Sequence, residues 1–143
     1  MCREEVGGNQ ANGKQTYLIM KAFPKPLDLR FLDDDLEDKP FELLENFHFI
    51  HRNYSITVPR GYRTDFASVP KLFHRLIGPI GPHGKAAVIH DWLCDESPKR
   101  MDYKEAAHVF GLAMELLRVP KWERWAMVRA VRIGGPRFNE GDD

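Results

Sequence analysis

Hydrophobic residues in the first half of the chain occur in short runs that turn residues separate. Five runs favour β-strands, and they cover residues 17–23, 27–31, 41–44, 47–50 and 54–58. Apolar and charged residues alternate in the second run, which is typical of a half-exposed strand. Asn53 and the Pro59-Arg60-Gly61 triplet provide turns around the last run. The pattern predicts an antiparallel β meander, because the runs are too short and too regularly interrupted for a parallel sheet.

Helical periodicity replaces the strand pattern after Ser68. The Ser68 hydroxyl can cap a short helix over residues 68–77, in which proline is tolerated in the first turn. A rigid loop rich in glycine and proline follows, and a second helix is predicted over residues 83–94.

Two further helices are predicted towards the C-terminus. Asp102, with Glu105 three residues later, is typical of a helix start, and apolar residues then recur at helical spacing as far as Leu117. The last helix begins at Pro120 and ends where the Gly134-Gly135-Pro136 sequence stops it.

This order of strands before helices predicts an α+β fold class. We expect an N-terminal antiparallel β meander with about three C-terminal helices packed on one face. The length of 143 residues fits one domain, predicted over residues 16–137. Residues 1–15 are polar and glycine-rich and are predicted to be a flexible tail, and residues 138–143 are predicted to be an acidic tail.

Positive and negative side chains balance in this sequence. Lys plus Arg and Asp plus Glu number 21 each, so the formal net charge is zero. Nucleic-acid-binding proteins usually carry a basic excess, so no nucleic-acid partner is indicated. No apolar run approaches the roughly 20 residues that span a bilayer, and the N-terminus lacks the pattern of a signal peptide. We therefore expect a soluble protein without a membrane partner.

The two cysteines, Cys2 and Cys94, do not have the spacing of metal ligands. We interpret them as free thiols in a reducing compartment. The alternative is that Cys94 is a nucleophile, because His90 precedes it by one helical turn.

Four polar residues lie within strongly apolar stretches of the chain: Asp65, Ser68, His90 and Asp91. Burial of such groups without partners would cost roughly 2–7 kcal/mol for a neutral group and more for a charge. We therefore expect each of them either to have a partner inside the fold or to line a pocket.

A catalytic interpretation places these residues around a divalent metal, which is the cofactor that an enzyme of this kind would need. Imidazole and carboxylate groups suit metal binding, activation of water and acid–base chemistry near neutral pH. The candidate metal ligands are Asp65, His90, Asp91 and Asp102. The first three of these are the candidate catalytic residues, and the candidate substrate contacts are Thr64, Ser68 and Arg100.

A structural interpretation explains the same residues without catalysis. Asp91 can pair with Arg63 or Arg100 at a buried joint, and turn residues such as Asp65 can bind backbone amides. Convergence of Asp65 and His90 on an open cleft would favour catalysis. Bonds from the same groups to arginines or backbone amides, without a cavity between them, would favour the structural role.

Several motifs resemble those of a known family. They are the segments 58–70 and 86–93, Arg100 with Asp102, Phe110 with Ala113-Met114, and the segment 130–135. In this order, over about residues 17–136, the chain resembles DUF1353, a family of unknown function that tailed bacteriophages and prophages encode. Met101 stands where the family usually has alanine. The resemblance implies a phage or prophage gene, and it implies no reaction and no catalytic residues.

We expect a non-enzymatic phage protein, such as a virion, tail or assembly component, with a buried network of Asp, His and Ser side chains. Zero net charge and the tryptophans of the last helix fit a protein that docks on another protein. Its partners would be phage or host proteins, and its location the bacterial host cytoplasm during infection or the virion. The alternatives are a metal-dependent hydrolase that uses Asp65, His90 and Asp91, and an inhibitor of a host enzyme.

Overall fold

The computed structural model describes residues 6–33, 38–66, 68, 69 and 82–138. The predicted helix over residues 68–77 and the loop after it lie almost entirely outside the described residues. Most of the predicted acidic tail, from residue 139 onwards, also lies outside them.

Strands in the first half of the chain and helices in the second confirm the predicted α+β class. The elements are α1 (Val6–Ala22), β1 (Leu29–Phe31), β2 (Phe41–Leu43), β3 (Phe47–His51), β4 (Tyr54–Val58), β5 (Arg63–Thr64), α2 (Pro82–Asp95), α3 (Tyr103–Leu116) and α4 (Lys121–Gly134). Four of the five predicted strands are present as β1 to β4, and α2, α3 and α4 begin and end close to the predicted positions.

The strands form two antiparallel sets. One is a three-stranded sheet in the order β1-β2-β5, and the other is the β3–β4 hairpin. The chain therefore leaves β2 for the hairpin and then returns to β2, which differs from a simple meander. Gly61 makes this return with a φ of +87°, and its N–H donates to the Leu43 carbonyl oxygen over 2.9 Å. Only glycine adopts such a φ readily, which explains the residue at this turn. After the turn, Thr64 pairs with Phe41 in the sheet.

The hairpin presents one apolar face to the core. Phe47 pairs with Val58 and Phe49 pairs with Ile56, and all four side chains are buried. Phe23, which follows α1, contacts both phenylalanine rings, with centroid distances of 5.8 and 5.2 Å. The alternation of apolar and polar residues along the strands thus fixes which face meets the helices.

The strand predicted over residues 17–23 is wrong, because α1 continues through Ala22. The helix also includes residues 6–15, for which the sequence predicted a tail. Packing accounts for the difference in the 17–23 segment, since Ala22 and Phe23 are buried and Ile19 lies against the same core. A local sequence pattern does not reveal contacts with the distant hairpin. Such contacts can override the weak preference of a short apolar run for a strand.

The α2 helix is the centre of the molecule. Its Ala86, Ala87, Val88, Ile89 and Leu93 side chains are buried, so α2 is apolar on most sides, as expected of a helix inside a core. It packs against α3, and α3 packs against α4.

The helix start predicted at Asp102 is confirmed, because its side chain accepts the N–H of Glu105 over 2.7 Å.

On α4, the Trp122 and Trp125 side chains are 60% and 64% exposed and lie outside the core. Within the described part of the chain, no helix combines the length and the apolar character needed to cross a membrane.

Candidate functional site

The turn that follows β5 is fastened to α2 by one carboxylate. Asp91 accepts the Thr64 hydroxyl through Oδ2 over 2.7 Å and the Ser68 N–H through Oδ1 over 3.1 Å. The Ser68 hydroxyl also donates to Oδ1 of Asp91. All three residues are buried, so the burial cost of the carboxylate is offset by three hydrogen bonds.

Backbone strain lies within this turn. Phe66 is fully buried and has a φ of +58°, which is uncommon for a residue other than glycine. Its N–H donates to the Thr64 hydroxyl oxygen over 3.1 Å, and its ring meets the edge of the Phe41 ring at 5.1 Å. Such strain costs about 1–3 kcal/mol, persists only where the surroundings enforce it, and is concentrated at functional sites.

The Ser68 hydroxyl oxygen also contacts His90. Its distance to Nδ1 of His90 is 2.5 Å, and the imidazole ring lies 5.0 Å from the ring of Phe110. A serine hydroxyl has one proton, which Ser68 donates to Asp91. The consistent arrangement therefore has the Nδ1–H of neutral His90 donating to the Ser68 oxygen.

Burial changes the acidity of both partners of Ser68. It raises the pKa of Asp91 to about 6, although the hydrogen bonds from Ser68 and Thr64 oppose the change. Burial lowers the pKa of His90 to about 4. At neutral pH Asp91 is therefore ionised and His90 is uncharged, and the carboxylate is the stronger base of the two.

These groups face a cleft of about 210 Å³. Thr64, Asp65, Ser68, His90 and Asp91 line one side, and residues from the end of α4 and beyond it line another. The structure therefore brings together five of the seven candidate catalytic, substrate-binding and metal-binding residues, and Cys94, the alternative nucleophile, lines the same cleft.

The sequence did not indicate Lys39, Tyr62 or Asp95, which also line the cleft. Asp95 accepts the Tyr62 hydroxyl over 2.6 Å and the Lys39 ammonium over 3.1 Å, both through Oδ2. Along the chain, Tyr62 lies two residues before Thr64, and Asp95 lies four residues after Asp91. This closeness in sequence is the one signal that could have suggested them.

Acidic groups dominate the electrostatics of the cleft. Asp65, Asp91 and Asp95 provide three carboxyl groups, and Lys39 provides one ammonium group. Its hydrogen bond with Asp95 raises the pKa of Lys39, so this lysine is positively charged at neutral pH. The lining therefore favours a neutral or positively charged ligand over an anion.

Arg100 and Asp102 do not line the cleft. The Arg100 guanidinium donates to Glu96 Oε1 over 2.9 Å and to the Ser55 carbonyl oxygen over 3.1 Å. Asp102 caps α3, as described above. The structure thus places the predicted substrate contact and the predicted fourth metal ligand away from the other five residues.

The described residues contain no group of three His, Cys, Asp or Glu side chains arranged to hold a metal ion. The hydrogen bonds of Asp91 described above go to hydroxyl groups and a backbone amide, rather than to Arg63 or Arg100. The Asp91 carboxylate is therefore held by uncharged hydrogen-bond donors of the turn after β5.

Cys94 lies beside His90, with its sulfur 3.8 Å from Nδ1. Burial raises the pKa of this thiol to about 12, and the nearby carboxylates of Asp91 and Asp95 act in the same direction. Because the thiolate is the nucleophilic form of cysteine, Cys94 is a poor candidate for the nucleophile.

Comparison with known proteins gives a family but no activity. The sequence profile described as "Protein of unknown function (DUF1353)" matches residues 41–131. The uncharacterized protein y4jT of Sinorhizobium fredii is 37% identical over 106 residues, which are 71% of this chain and 31% of the relative. A second uncharacterized protein of that bacterium, y4iH, is 36% identical over 78 residues, which are 53% of this chain and 32% of the relative. The chain thus matches about a third of the length of each relative, and no solved structure matches it.

Proposed function

The chain belongs to the DUF1353 family, whose description assigns no activity, and we propose that it is a hydrolase with Ser68 as its nucleophile. The observation that carries this proposal is the contact of one serine hydroxyl with both a carboxylate and an imidazole at a cleft. Convergence of Asp65 and His90 on that cleft is the arrangement that favours catalysis over a purely structural network. Perturbed pKa values and a strained turn at the same place support it.

The geometry suggests a role for each residue in the transfer of an acyl group. The Ser68 oxygen attacks the carbonyl carbon of the substrate while its proton passes to the Asp91 carboxylate. The Nδ1–H of His90 holds the attacking oxygen in place. Asp91 then gives the proton to the departing alcohol or amine, and a water molecule hydrolyses the acyl-serine by the same route.

Cleft size and charge restrict the substrate class. A volume of about 210 Å³ is below the usual range for sites that enclose whole drug-sized ligands, roughly 300–1,000 Å³. The cleft is therefore suited to one small acyl group or one side chain of a larger substrate. Its excess of carboxyl groups favours an ester or amide with a neutral or positively charged acyl group.

The test measures kcat/KM for a series of nitrophenyl esters with small neutral, cationic and anionic acyl groups. We expect hydrolysis of the neutral and cationic esters, complete loss in Ser68→Ala, and a decrease of about 10²-fold or more in Asp91→Asn, which removes the base. Ser55→Ala is the matched control, because Ser55 is exposed on β4. Equal rates in Ser68→Ala, Ser55→Ala and wild type, with all three folded, would contradict the proposal.

The second candidate function is the interaction role, in which the protein is a component of a phage particle or of its assembly. The exposed Trp122 and Trp125 of α4 favour it, since aromatic side chains are enriched at protein interfaces. In this case the Ser68–His90–Asp91 network would hold the turn after β5 on α2 and would have no chemical role. Loss of stability in Ser68→Ala, together with no hydrolysis by the wild type, would favour this candidate. The host-enzyme inhibitor stays a prediction.

A further inference from the structure

A second concave surface lies between α3 and α4, away from Ser68. This α3–α4 groove has a volume of about 610 Å³, and Ala107, Gly111, Leu112 and Val128 are among the residues that line it. Gly111 lets the two helices approach, because a Cβ atom there would lie 3.1 Å from Cγ2 of Val128. Small and aliphatic side chains therefore form part of the lining of the groove.

Large apolar side chains remain exposed at the groove. Trp125 and Ile133 line it, and each is 64% exposed. Leu112 and Val128 also line the groove and are half-buried. Covering this surface would remove apolar area from water and would provide a favourable binding energy.

The lining of the groove is strongly basic. Lys121, Arg124, Arg129 and Arg132 line it, against a single carboxylate, that of Glu115. Glu115 lies 3.6 Å from the Arg124 guanidinium, whose buried Nε has no hydrogen-bond acceptor among the described residues. The Arg129 guanidinium lies 5.4 Å from the centre of the Trp125 ring. A chain of zero net charge thus concentrates positive charge beside an exposed apolar strip.

We propose that the α3–α4 groove binds an acidic amphipathic helix of a partner protein. The apolar face of that helix would cover Leu112, Val128 and Trp125, and its carboxylates would lie against Lys121, Arg129 and Arg132. Both walls are helices of 14 residues, or about 21 Å at 1.5 Å per residue, so the groove accommodates roughly four helical turns. This inference concerns a different surface from the Ser68 cleft and does not depend on hydrolysis.

Charge argues against two other occupants. A second copy of the chain docked groove to groove would place four cations against four cations, and like charges across an interface are repulsive. Single-stranded nucleic acid could stack on Trp125 and bind the arginines through its phosphates. The apolar Leu112 and Val128 side chains, however, would make no favourable contact with a phosphate backbone. A helix that carries both carboxylates and apolar side chains matches both parts of the surface.

The experiment uses a fluorescent synthetic peptide in which leucine and glutamate recur at helical spacing, titrated with the full chain and followed by anisotropy. The comparison ligands are the same peptide with lysine in place of glutamate, and an oligothymidine strand. We expect the acidic peptide to bind, the lysine peptide to bind at least tenfold more weakly, and added salt to weaken binding.

Trp125→Ala and Arg129→Glu are expected to weaken binding at least tenfold, because aromatic and arginine residues often dominate such interfaces. Trp122→Ala is the matched control, since Trp122 is an exposed tryptophan of α4 that does not line the groove, and binding should change less than twofold. The proposal would be overturned if the two peptides bound equally well, if the oligonucleotide bound more tightly than the acidic peptide, or if Trp122→Ala weakened binding as much as Trp125→Ala. Dimerisation of the chain that the groove variants abolish would also overturn it. Acylation of Ser68 is unaffected by these variants in our account, so failure here and failure of the hydrolase proposal are distinguishable.

Discussion

The hydroxyl of Ser68 has one proton and contacts two groups, the Asp91 carboxylate and the His90 imidazole. Asp91 receives that proton in the structure and also fastens the turn that holds Ser68. In the proposed hydrolase the same carboxylate has both a structural and a chemical role, so the two interpretations that the sequence left open are not exclusive at this residue. His90 completes the set as an uncharged donor, because burial lowers its pKa to about 4.

Asp91 and His90 are expected to have opposite effects on stability as the pH changes. The pKa of Asp91 rises from 3.8 to about 6 on folding, so its contribution to stability is largest below pH 3.8 and is lost as the pH rises to about 6. The pKa of His90 falls from 6.5 to about 4, so its contribution is present above pH 6.5 and is lost as the pH falls to about 4.

Urea unfolding between pH 4 and 6.5 separates the two contributions. The free energy of unfolding of wild type minus that of Asp91→Asn should fall by about 2 kcal/mol from pH 4 to pH 6, because the shift of about two pKa units, at 1.36 kcal/mol each, is only partly expressed between these two pH values. The corresponding difference for His90→Gln should rise by about 3 kcal/mol from pH 4 to pH 6.5. Differences that stay flat with pH would show that neither group is perturbed by burial.

Local sequence signals were sufficient to predict most of the helices and strands. Helix α3 was predictable because Asp102 and the apolar period define its start and its buried face, and β3 and β4 because apolar and polar residues alternate along them. Helix α1 was not predictable, since its contacts with β3 are long-range and leave no local signal in the sequence. The Lys39–Asp95 contact was equally hidden, because 56 residues separate the two side chains along the chain.

Substitutions at Asp102 test whether this residue is only a helix cap or also part of the site. Asp102→Ala removes the acceptor for the Glu105 N–H, so we expect a loss of about 1 kcal/mol in the free energy of unfolding. Asp102→Asn keeps an oxygen at that position and should retain most of the stability. Ester hydrolysis by the folded variants should equal that of wild type, and a specific loss of hydrolysis in either would return Asp102 to the site.

The molecule as a whole has two candidate binding surfaces on either side of α4. Val131 and Gly135 line the Ser68 cleft, whereas Val128 and Arg132 line the α3–α4 groove. The sequence could indicate the candidate site residues, because polar groups within apolar stretches are conspicuous. It could not show that Thr64, Asp65 and Ser68 share a cleft with His90 and Asp91, since that follows from tertiary packing.

Covalent modification of Ser68 is the most direct test of the central claim. The folded wild-type chain would be treated with phenylmethanesulfonyl fluoride, a small serine-directed reagent, and the modified residue located by mass spectrometry. We expect a single sulfonyl group on Ser68, slower modification in Asp91→Asn, and none at Ser55. A folded wild-type chain in which Ser68 is modified no faster than Ser55 would contradict the claim that Asp91 and His90 activate this hydroxyl.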